Sequence, residues 1–289
     1  MRPSIIFVFL LLCQSLFAAP KSLPVPGGII VLPLEDNVTS VTFLNKRAAL
    51  FKEKGRIYAV LPVPLTVTPG VYEVLLADKK LKIEIEAKEY AVQRLQIKNR
   101  RKVEPAREDL VRITKERSRK QKAKSFRSPG FADLDFIWPT TGRISSPFGL
   151  KRVLNGRPKA PHRGIDIAAP EGREVFAAAD GIVVDAGDFF FSGNLVFIEH
   201  HGGVVTTYAH LQKIVVKPKS IVRKGELIGF VGKTGRVTGE HLHFGVMIDS
   251  IYVDPLLFLP TRQPSIYTSE KLSKISSGSA KRETIPPEG

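Results

Sequence analysis

Histidines and an aspartate with the spacing of a metal site occupy three short segments of the sequence. The segments are His162-Arg-Gly-Ile-Asp166, Tyr208-Ala-His-Leu211 and His241-Leu-His243. The first offers an imidazole and a carboxylate four residues apart. In the last, a β-strand would point both imidazoles to one face, because side chains alternate along a strand. The three segments therefore predict a metal site with further imidazoles beside it.

The donor types in these segments suit zinc. A catalytic zinc ion takes about three protein ligands and keeps one position open for water. His162 and Asp166 are candidates for two ligands, and one histidine of the last segment is the candidate for the third. Two neutral imidazoles and one carboxylate leave the ion with a net positive charge, which lowers the pKa of bound water towards about 7 and polarises a carbonyl.

His210 is a candidate for proton transfer. In a strand it would share a face with Thr206 and Tyr208. Together with the non-ligand histidine of the last segment, it could accept a proton from water or stabilise an oxyanion. Each pattern alone is more often structural than catalytic, but their joint occurrence in one β-rich region favours catalysis.

Two β-rich regions are predicted, one on each side of a basic stretch. In the first, strand candidates occur at 29–32, 38–44, 57–63, 71–76 and 81–86, which predicts a small β-sandwich over 20–97. In the second, candidates occur at 181–186, 195–199, 204–208, 227–231 and 241–246, with glycines between them. This pattern predicts a mostly antiparallel β domain over 131–260. The fold class is therefore mainly β.

The basic stretch predicts a helical linker over 98–130. Between residues 94 and 127 there are 14 Lys or Arg against four acids. A helix is expected over 105–124, with Leu110, Ile113 and Arg117 on one thin stripe. A solvated linker is favoured over a dedicated binding helix. If the helix binds a partner, its charge favours an anionic surface of the cell envelope over nucleic acid, because no nucleic-acid-binding motif accompanies the charge.

The ends of the chain carry signals of export and disorder. The apolar run at 5–12, followed by Ala18-Ala19, predicts a signal peptide over 1–19, with an uncleaved anchor as the alternative. The single cysteine, Cys13, lies inside this run, so the exported chain would contain no disulfide. The Ser/Lys/Pro-rich tail at 261–289 is predicted to be disordered.

Further motifs flank the histidine segments. They are Ser146-Pro-Phe-Gly149, Gly181-Ile-Val-Val-Asp-Ala-Gly187, Gly193-Asn-Leu-Val196, Lys224-Gly-Glu-Leu-Ile-Gly229, Gly232-Lys-Thr-Gly235 and Thr238-Gly-Glu240. Their order resembles that of the lysostaphin/LytM-type zinc endopeptidases, which cut peptide cross-links of peptidoglycan. The layout, with a β domain first and the peptidase last, resembles exported Gram-negative members, which implies a periplasmic location.

This resemblance implies roles for individual residues. It implies one zinc per chain, bound by His162, Asp166 and His243, with His210 and His241 acting on the water and the oxyanion. It also implies an antiparallel sheet with a groove that admits a peptide of peptidoglycan, where zinc-activated water attacks the scissile carbonyl.

Two alternatives to an active peptidase explain the sequence less well. A non-catalytic LytM-like regulator of another wall hydrolase is disfavoured, since degenerate members lack zinc ligands. A biotinyl/lipoyl-type carrier leaves the metal constellation unexplained. The N-terminal domain and the basic helix are expected to restrain access to the groove, because an unrestrained wall hydrolase endangers its host.

Three other features are interpreted as structural. His200 and His201 precede Gly202-Gly203, a turn signal, and are expected to be structural or solvated. Glu240 could tune His241 but is expected to face solvent. The aromatic run at 189–191 is either core or a wall of the groove.

Overall fold

The computed structural model describes residues 20–35, 38, 40–76 and 79–264. The predicted signal peptide at 1–19 lies outside the described residues, as does the predicted disordered tail from residue 265 onwards. Within the described ranges, no helix is both long enough and apolar enough to cross a bilayer.

The N-terminal region consists of two small sheets packed face to face. Their strands, in chain order, are β1 (Ile29–Pro33), β2 (Val41–Phe43), β3 (Lys46–Arg47), β4 (Ala49–Glu53), β5 (Arg56–Pro62), β6 (Gly70–Leu76) and β7 (Lys79–Ile85). One sheet has the order β1-β5-β4 and the other β3-β2-β6-β7, with antiparallel pairing in both. The buried cluster between them includes Leu61 from the first and Phe43 and Val74 from the second. This arrangement is the predicted β-sandwich.

The outer face of the β1-β5-β4 sheet is buried as well. Alternate side chains of a strand point to opposite faces, so Ile30 enters the sandwich while Ile29 points outward. Ile29 and Val60 belong to the same apolar cluster as Trp138 and Phe148 of the C-terminal region. Burying a Val or Ile side chain contributes about 1.5–3 kcal/mol, so this contact joins the two regions.

The strands of the C-terminal region form a large antiparallel sheet and smaller ones around it. In chain order they are β8 (Val92–Leu95), β9 (Arg143–Ser146), β10 (Lys151–Leu154), β11 (Arg157–Pro158), β12 (Ile165–Ala168), β13 (Glu174–Phe176), β14 (Gly181–Phe189), β15 (Gly193–Glu199), β16 (Val204–Leu211), β17 (Lys213–Ile214), β18 (Ile221–Val222), β19 (Leu227–Phe230), β20 (Leu242–Ile248) and β21 (Ile251–Val253). The large sheet has the order β18-β14-β15-β16-β20-β12-β9, and β21 pairs with β20. The predicted mainly β, antiparallel fold is confirmed.

Strand β8 lies within the range predicted for the N-terminal domain, but it pairs elsewhere. It forms parallel hydrogen bonds with β10, which also pairs with β11. Two three-stranded sheets of this region have the orders β13-β19-β17 and β11-β10-β8. A segment that precedes the basic helix is therefore built into the C-terminal region.

A helix, α1 (Arg107–Lys124), occupies the basic stretch, and two short 3₁₀ helices lie at Arg100–Lys102 and Pro255–Leu257. The first turn of α1 carries Glu108 and Asp109, and the last carries Lys122 and Lys124. These charges have the signs that oppose the helix dipole at each end. The Asp109 carboxylate also accepts a hydrogen bond from the Ala106 backbone, which caps the helix start.

The predicted stripe on α1 is wrong at two of its three positions, since Ile113 alone of the three is partly buried. Leu110 is 49% exposed, and Arg117 is exposed as well. The side of α1 that contacts the protein carries Glu116, Lys120 and the buried Ala123 instead. Most contacts between α1 and the rest of the protein are polar, so the spacing of apolar residues could not reveal which side of the helix makes them.

Candidate active site

His162 and Asp166 lie close together at the start of strand β12. His162 lies in the loop before the strand, where its backbone N–H donates to Leu150 and its carbonyl accepts from Gly149. Asp166 is the second residue of β12. His162 Nε2 lies 2.9 Å from Asp166 Oδ1, and both side chains are buried.

His243 joins them from the neighbouring strand. In the antiparallel pairing of β12 with β20, His243 is directly opposite Asp166, and opposite side chains in a ladder lie on the same face. His243 Nδ1 lies 2.8 Å from Asp166 Oδ1 and 3.0 Å from His162 Nε2. Leu242 points away into the core, as the His-x-His spacing predicts. The structure thus brings the three predicted ligand residues together.

Burial and close contacts determine the electrostatics of this cluster. His162 Nδ1 lies 2.7 Å from the Pro147 carbonyl and donates to it, which orients the ring so that Nε2 faces Asp166. Burial lowers the pKa of His243 to about 4 despite its contact with Asp166. Burial alone would raise the pKa of Asp166, but the contacts with the two histidines outweigh it and hold that pKa well below its usual range.

A neutral His243 and an ionised Asp166 are in the states that metal ligands need. Two imidazoles and one carboxylate place ligand atoms within 4.8 Å of one another. This donor set fits a divalent cation such as zinc.

The His210 side chain lies beside the cluster, on a face of β16 that regular strand alternation does not predict. Thr206 Oγ1 and the Tyr208 hydroxyl bond each other inside the core, whereas His210 lies 4.9 Å from His241 and 6.0 Å from His243 between ring centroids. The prediction that His210 shares a face with Thr206 and Tyr208 is therefore wrong.

A β-bulge at His210 explains the difference. Two residues of β16, Ala209 and His210, stand opposite the single residue Leu195 of β15, and His210 has φ of 65°. An extra residue in one strand turns the following side chain to the other face. The His210 backbone N–H donates to the Ser192 carbonyl at 3.0 Å, and His210 Nδ1 lies 2.8 Å from the Thr234 carbonyl.

His241 completes the group from the residue before β20. Its Nδ1 lies 2.9 Å from the Gly239 carbonyl, and its Nε2 lies 3.7 Å from Asp166 Oδ1. In both His210 and His241, Nδ1 donates to a backbone carbonyl, so Nε2 is the nitrogen of each ring that can take part in proton transfer. Burial, with the neighbouring His241 and His243 rings, lowers the pKa of His210 well below its usual value.

The polar contacts around the cluster include a residue that the sequence did not single out. Arg152 Nη2 donates to Asp166 Oδ2 at 2.8 Å. A single arginine in a chain with 44 Lys and Arg carries no signal in the sequence. Thr234, in contrast, lies in the motif Gly232-Lys-Thr-Gly235, and its Oγ1 donates to the Leu211 carbonyl beside the bulge.

The features interpreted as structural behave accordingly. His200 is fully buried, with Nδ1 on the Asp180 carbonyl and Nε2 on Thr206 Oγ1. His201 contacts Ser128. Glu240 pairs with Lys233 rather than with His241.

The aromatic run at 189–191 is largely core. Phe189 and Phe190 are buried. Lys120 and Arg119 of α1 lie over the Phe189 ring. The basic helix therefore covers aromatic side chains that could otherwise face a groove.

The sequence and the structure match known proteins. The model of the family described as Peptidase family M23 matches residues 160–255. A crystal structure described as a peptidase M23 from Pseudomonas aeruginosa has a TM-score of 0.68 and 34% sequence identity. The match covers 81% of this chain and 94% of that one, so it extends into the N-terminal region.

Two curated relatives are similar over the C-terminal region. The peptidoglycan DD-endopeptidase ShyC of Vibrio cholerae is 43% identical over 115 residues, which is 39% of this chain and 26% of the relative. The DD-carboxypeptidase/endopeptidase Mpg of Neisseria meningitidis is 45% identical over 130 residues, 45% of this chain and 30% of the relative. The matches therefore span less than a third of the length of these two relatives.

Proposed function

The chain belongs to peptidase family M23, and on that premise we propose that it is a zinc-dependent endopeptidase that hydrolyses peptide cross-links of bacterial peptidoglycan. The observation that carries this proposal is the convergence of His162, Asp166 and His243, with His210 and His241 beside them. A complete ligand set next to two further imidazoles favours a catalyst over a non-catalytic regulator.

Zinc fits the donor set that the structure presents. His162 Nε2, Asp166 Oδ1 and His243 Nδ1 would hold the ion, and three protein ligands are typical of catalytic zinc. Bound there, zinc supplies Lewis-acid chemistry that polarises the scissile carbonyl and makes water a stronger nucleophile near neutral pH.

Two histidines of the chain, His210 and His241, can transfer the protons of the reaction. Because Nδ1 of His210 and of His241 is held by a backbone carbonyl, each Nε2 is free to accept a proton from the attacking water. Once protonated, the same nitrogen can donate to the developing oxyanion or to the leaving amine. We propose that the two rings divide these roles.

We propose the substrate and the cellular location from the similarity to these relatives. Peptidoglycan DD-endopeptidases are among the similar proteins, which supports the D-alanyl to diaminopimelate cross-link as the bond that is cut. Such a substrate requires export, and we propose the Gram-negative periplasm, reached through the signal peptide predicted over 1–19. We propose the domain limits 20–97, 98–130 and 131–260, with the exception that β8, at the end of the first range, pairs with β10 of the last.

Metal content of purified variants tests the site. The mature protein should bind about one zinc per chain. Asp166→Ala and His243→Ala should lose both zinc and cleavage of muropeptides, whereas His210→Ala should keep zinc and lose turnover, because a non-ligand acts on the transition state. His201→Ala is the matched control and should keep both. Full zinc in His162→Ala would show that the ligand assignment is wrong.

A further inference from the structure

Asp166 has a partner outside the metal cluster. Its Oδ1 faces His162 and His243, whereas its Oδ2 accepts the hydrogen bond from Arg152. The side chains of Arg152 and Asp166 are 21% and 7% exposed. A shielded, charge-assisted hydrogen bond restricts rotation of the carboxylate. The contact with Arg152 thus keeps Oδ1 directed at the two histidines.

Arg152 is in turn held by a residue of β8. The parallel pairing of β8 with β10 aligns Gln93 with Arg152. Gln93 Oε1 accepts from Arg152 Nε at 3.1 Å, and Gln93 Nε2 donates to Ser146 Oγ at 2.8 Å. Ser146 is opposite Asp166 in the pairing of β9 with β12. Gln93 therefore ties the arginine to the strand beside the one that carries Asp166.

We propose that Gln93 is a positioning residue of the metal site, which acts through Arg152 to hold Asp166 in the orientation that binds the ion. Strand β8, far upstream of the matched region 160–255, is then a working part of that site. This inference rests on the proposed zinc site. Partners that orient metal ligands typically change metal affinity by about 10–100-fold when they are removed.

Zinc affinity of the full-length protein tests the proposal without relying on catalysis. Zinc-free protein is titrated with zinc in competition with a chromophoric chelator. Gln93→Leu removes the contact with Arg152 without changing any charge, and should weaken zinc binding by about tenfold. Gln96→Leu is the matched control, because Gln96 is exposed just beyond the end of β8, and it should bind zinc as the wild type does.

A double-mutant cycle separates positioning from general structural damage. Arg152→Lys keeps the charge but loses the planar fork of donors, and should also weaken zinc binding. Because Gln93 acts through Arg152, the double variant should bind zinc no more weakly than Arg152→Lys alone. If Gln93→Leu does not fold, Gln93→Asn shortens the side chain by one methylene and should weaken zinc binding in the same way.

The outcomes distinguish this proposal from the proposed function. Wild-type protein that binds zinc while Gln93→Leu binds it equally tightly would overturn the positioning role alone. Independent, multiplying effects in the double variant would overturn it too. Wild-type protein that binds no zinc would instead overturn the proposed function on which it rests.

Discussion

His210 shows how one residue departs from the regular strand that carries it. A non-glycine residue at a positive φ is uncommon, and such a conformation costs of order 1 kcal/mol or more. Hydrogen bonds to the Ser192 and Thr234 carbonyls hold it in place. The bulge turns an imidazole from the core face to the face that carries His243.

Gly164 is required by the close approach of His243. A Cβ at Gly164 would lie 2.4 Å from the Phe244 carbonyl oxygen and 2.8 Å from the His243 ring. Gly164→Ala should therefore displace β20 and weaken zinc binding by about tenfold or more, measured by chelator competition. Gly239→Ala is the control, because nothing lies within 4 Å of its Cβ position. Equal zinc affinity in both variants would contradict the expected clash.

His200 should make stability depend on pH. Burial lowers its pKa from 6.5 to about 4 in the folded protein. The unfolded chain therefore takes up a proton at a higher pH than the folded chain does. The contribution of His200 to the unfolding free energy is fully present above pH 6.5 and is lost as the pH falls from 6.5 towards 4. The full difference corresponds to about 3 kcal/mol.

Urea unfolding between pH 4 and pH 7 measures this contribution, with the fluorescence of Trp138 as the signal. The unfolding free energy of His200→Gln should fall less steeply with acid than that of the wild type. Identical slopes for the two proteins would show that His200 does not titrate differently on folding.

At the scale of elements, helix α1 lies on the same face of the large sheet as the candidate site. The strand register places His243, Ala209, Phe197 and Asp185 on one face, and Arg119 of α1 pairs with Asp185. Ala123 of α1 is buried in the apolar cluster of that face. The helix therefore covers part of the surface beside the histidines.

Loosening the contacts of α1 with the sheet tests whether this helix restrains access of the substrate to the candidate site. Arg112 pairs with Asp188 and Arg119 with Asp185, so the double variant Arg112→Ala/Arg119→Ala should loosen α1 and raise the rate of cleavage of isolated sacculi several-fold. Lys115→Ala/Arg117→Ala is the control for the loss of charge, because both residues are exposed. A rate that is unchanged or lower in the release variant would contradict restraint. A lower rate would indicate that α1 supports the loop at Ser192 through Lys120.

Some elements could be predicted from the sequence and others could not, for physical reasons. Apolar runs between turn residues identify β5, β6, β14 and β16 because each strand buries at least one face. Strand β8, with Gln93 and Arg94 in its centre, has no such pattern, since its pairing with β10 depends on backbone hydrogen bonds. Chain spacing brings His241 and His243 together, but neither the bulge at His210 nor the contact of Arg152 with Asp166 follows from spacing.

At the scale of the whole molecule, the sandwich and the large sheet share an apolar cluster. Phe51 of β4 is buried in that cluster together with Trp138, the single tryptophan of the chain. The Trp138 indole N–H donates to the Pro260 carbonyl, so its fluorescence reports on the C-terminal region. We therefore expect the two regions to unfold together.

Removal of Phe51 tests this joint unfolding. Phe51→Ala lies in the N-terminal region, yet it should lower the unfolding free energy reported by Trp138 by about 3–5 kcal/mol, the usual cost of truncating a buried phenylalanine. Val71→Ala, at a position that is 65% exposed, should have little effect. A Trp138 transition that does not shift in Phe51→Ala would show that the two regions unfold independently.

The central claim is that the five residues His162, Asp166, His210, His241 and His243 form the active site of a peptidase that acts on peptidoglycan. Mass spectrometry of the products from a defined cross-linked muropeptide dimer tests it most directly. Zinc-loaded wild-type protein should convert the dimer to monomers by cleavage between D-alanine and diaminopimelate, and zinc-loaded His210→Ala should leave the dimer intact. A dimer that stays intact with zinc-loaded wild-type protein would contradict the claim and favour a regulator of another hydrolase.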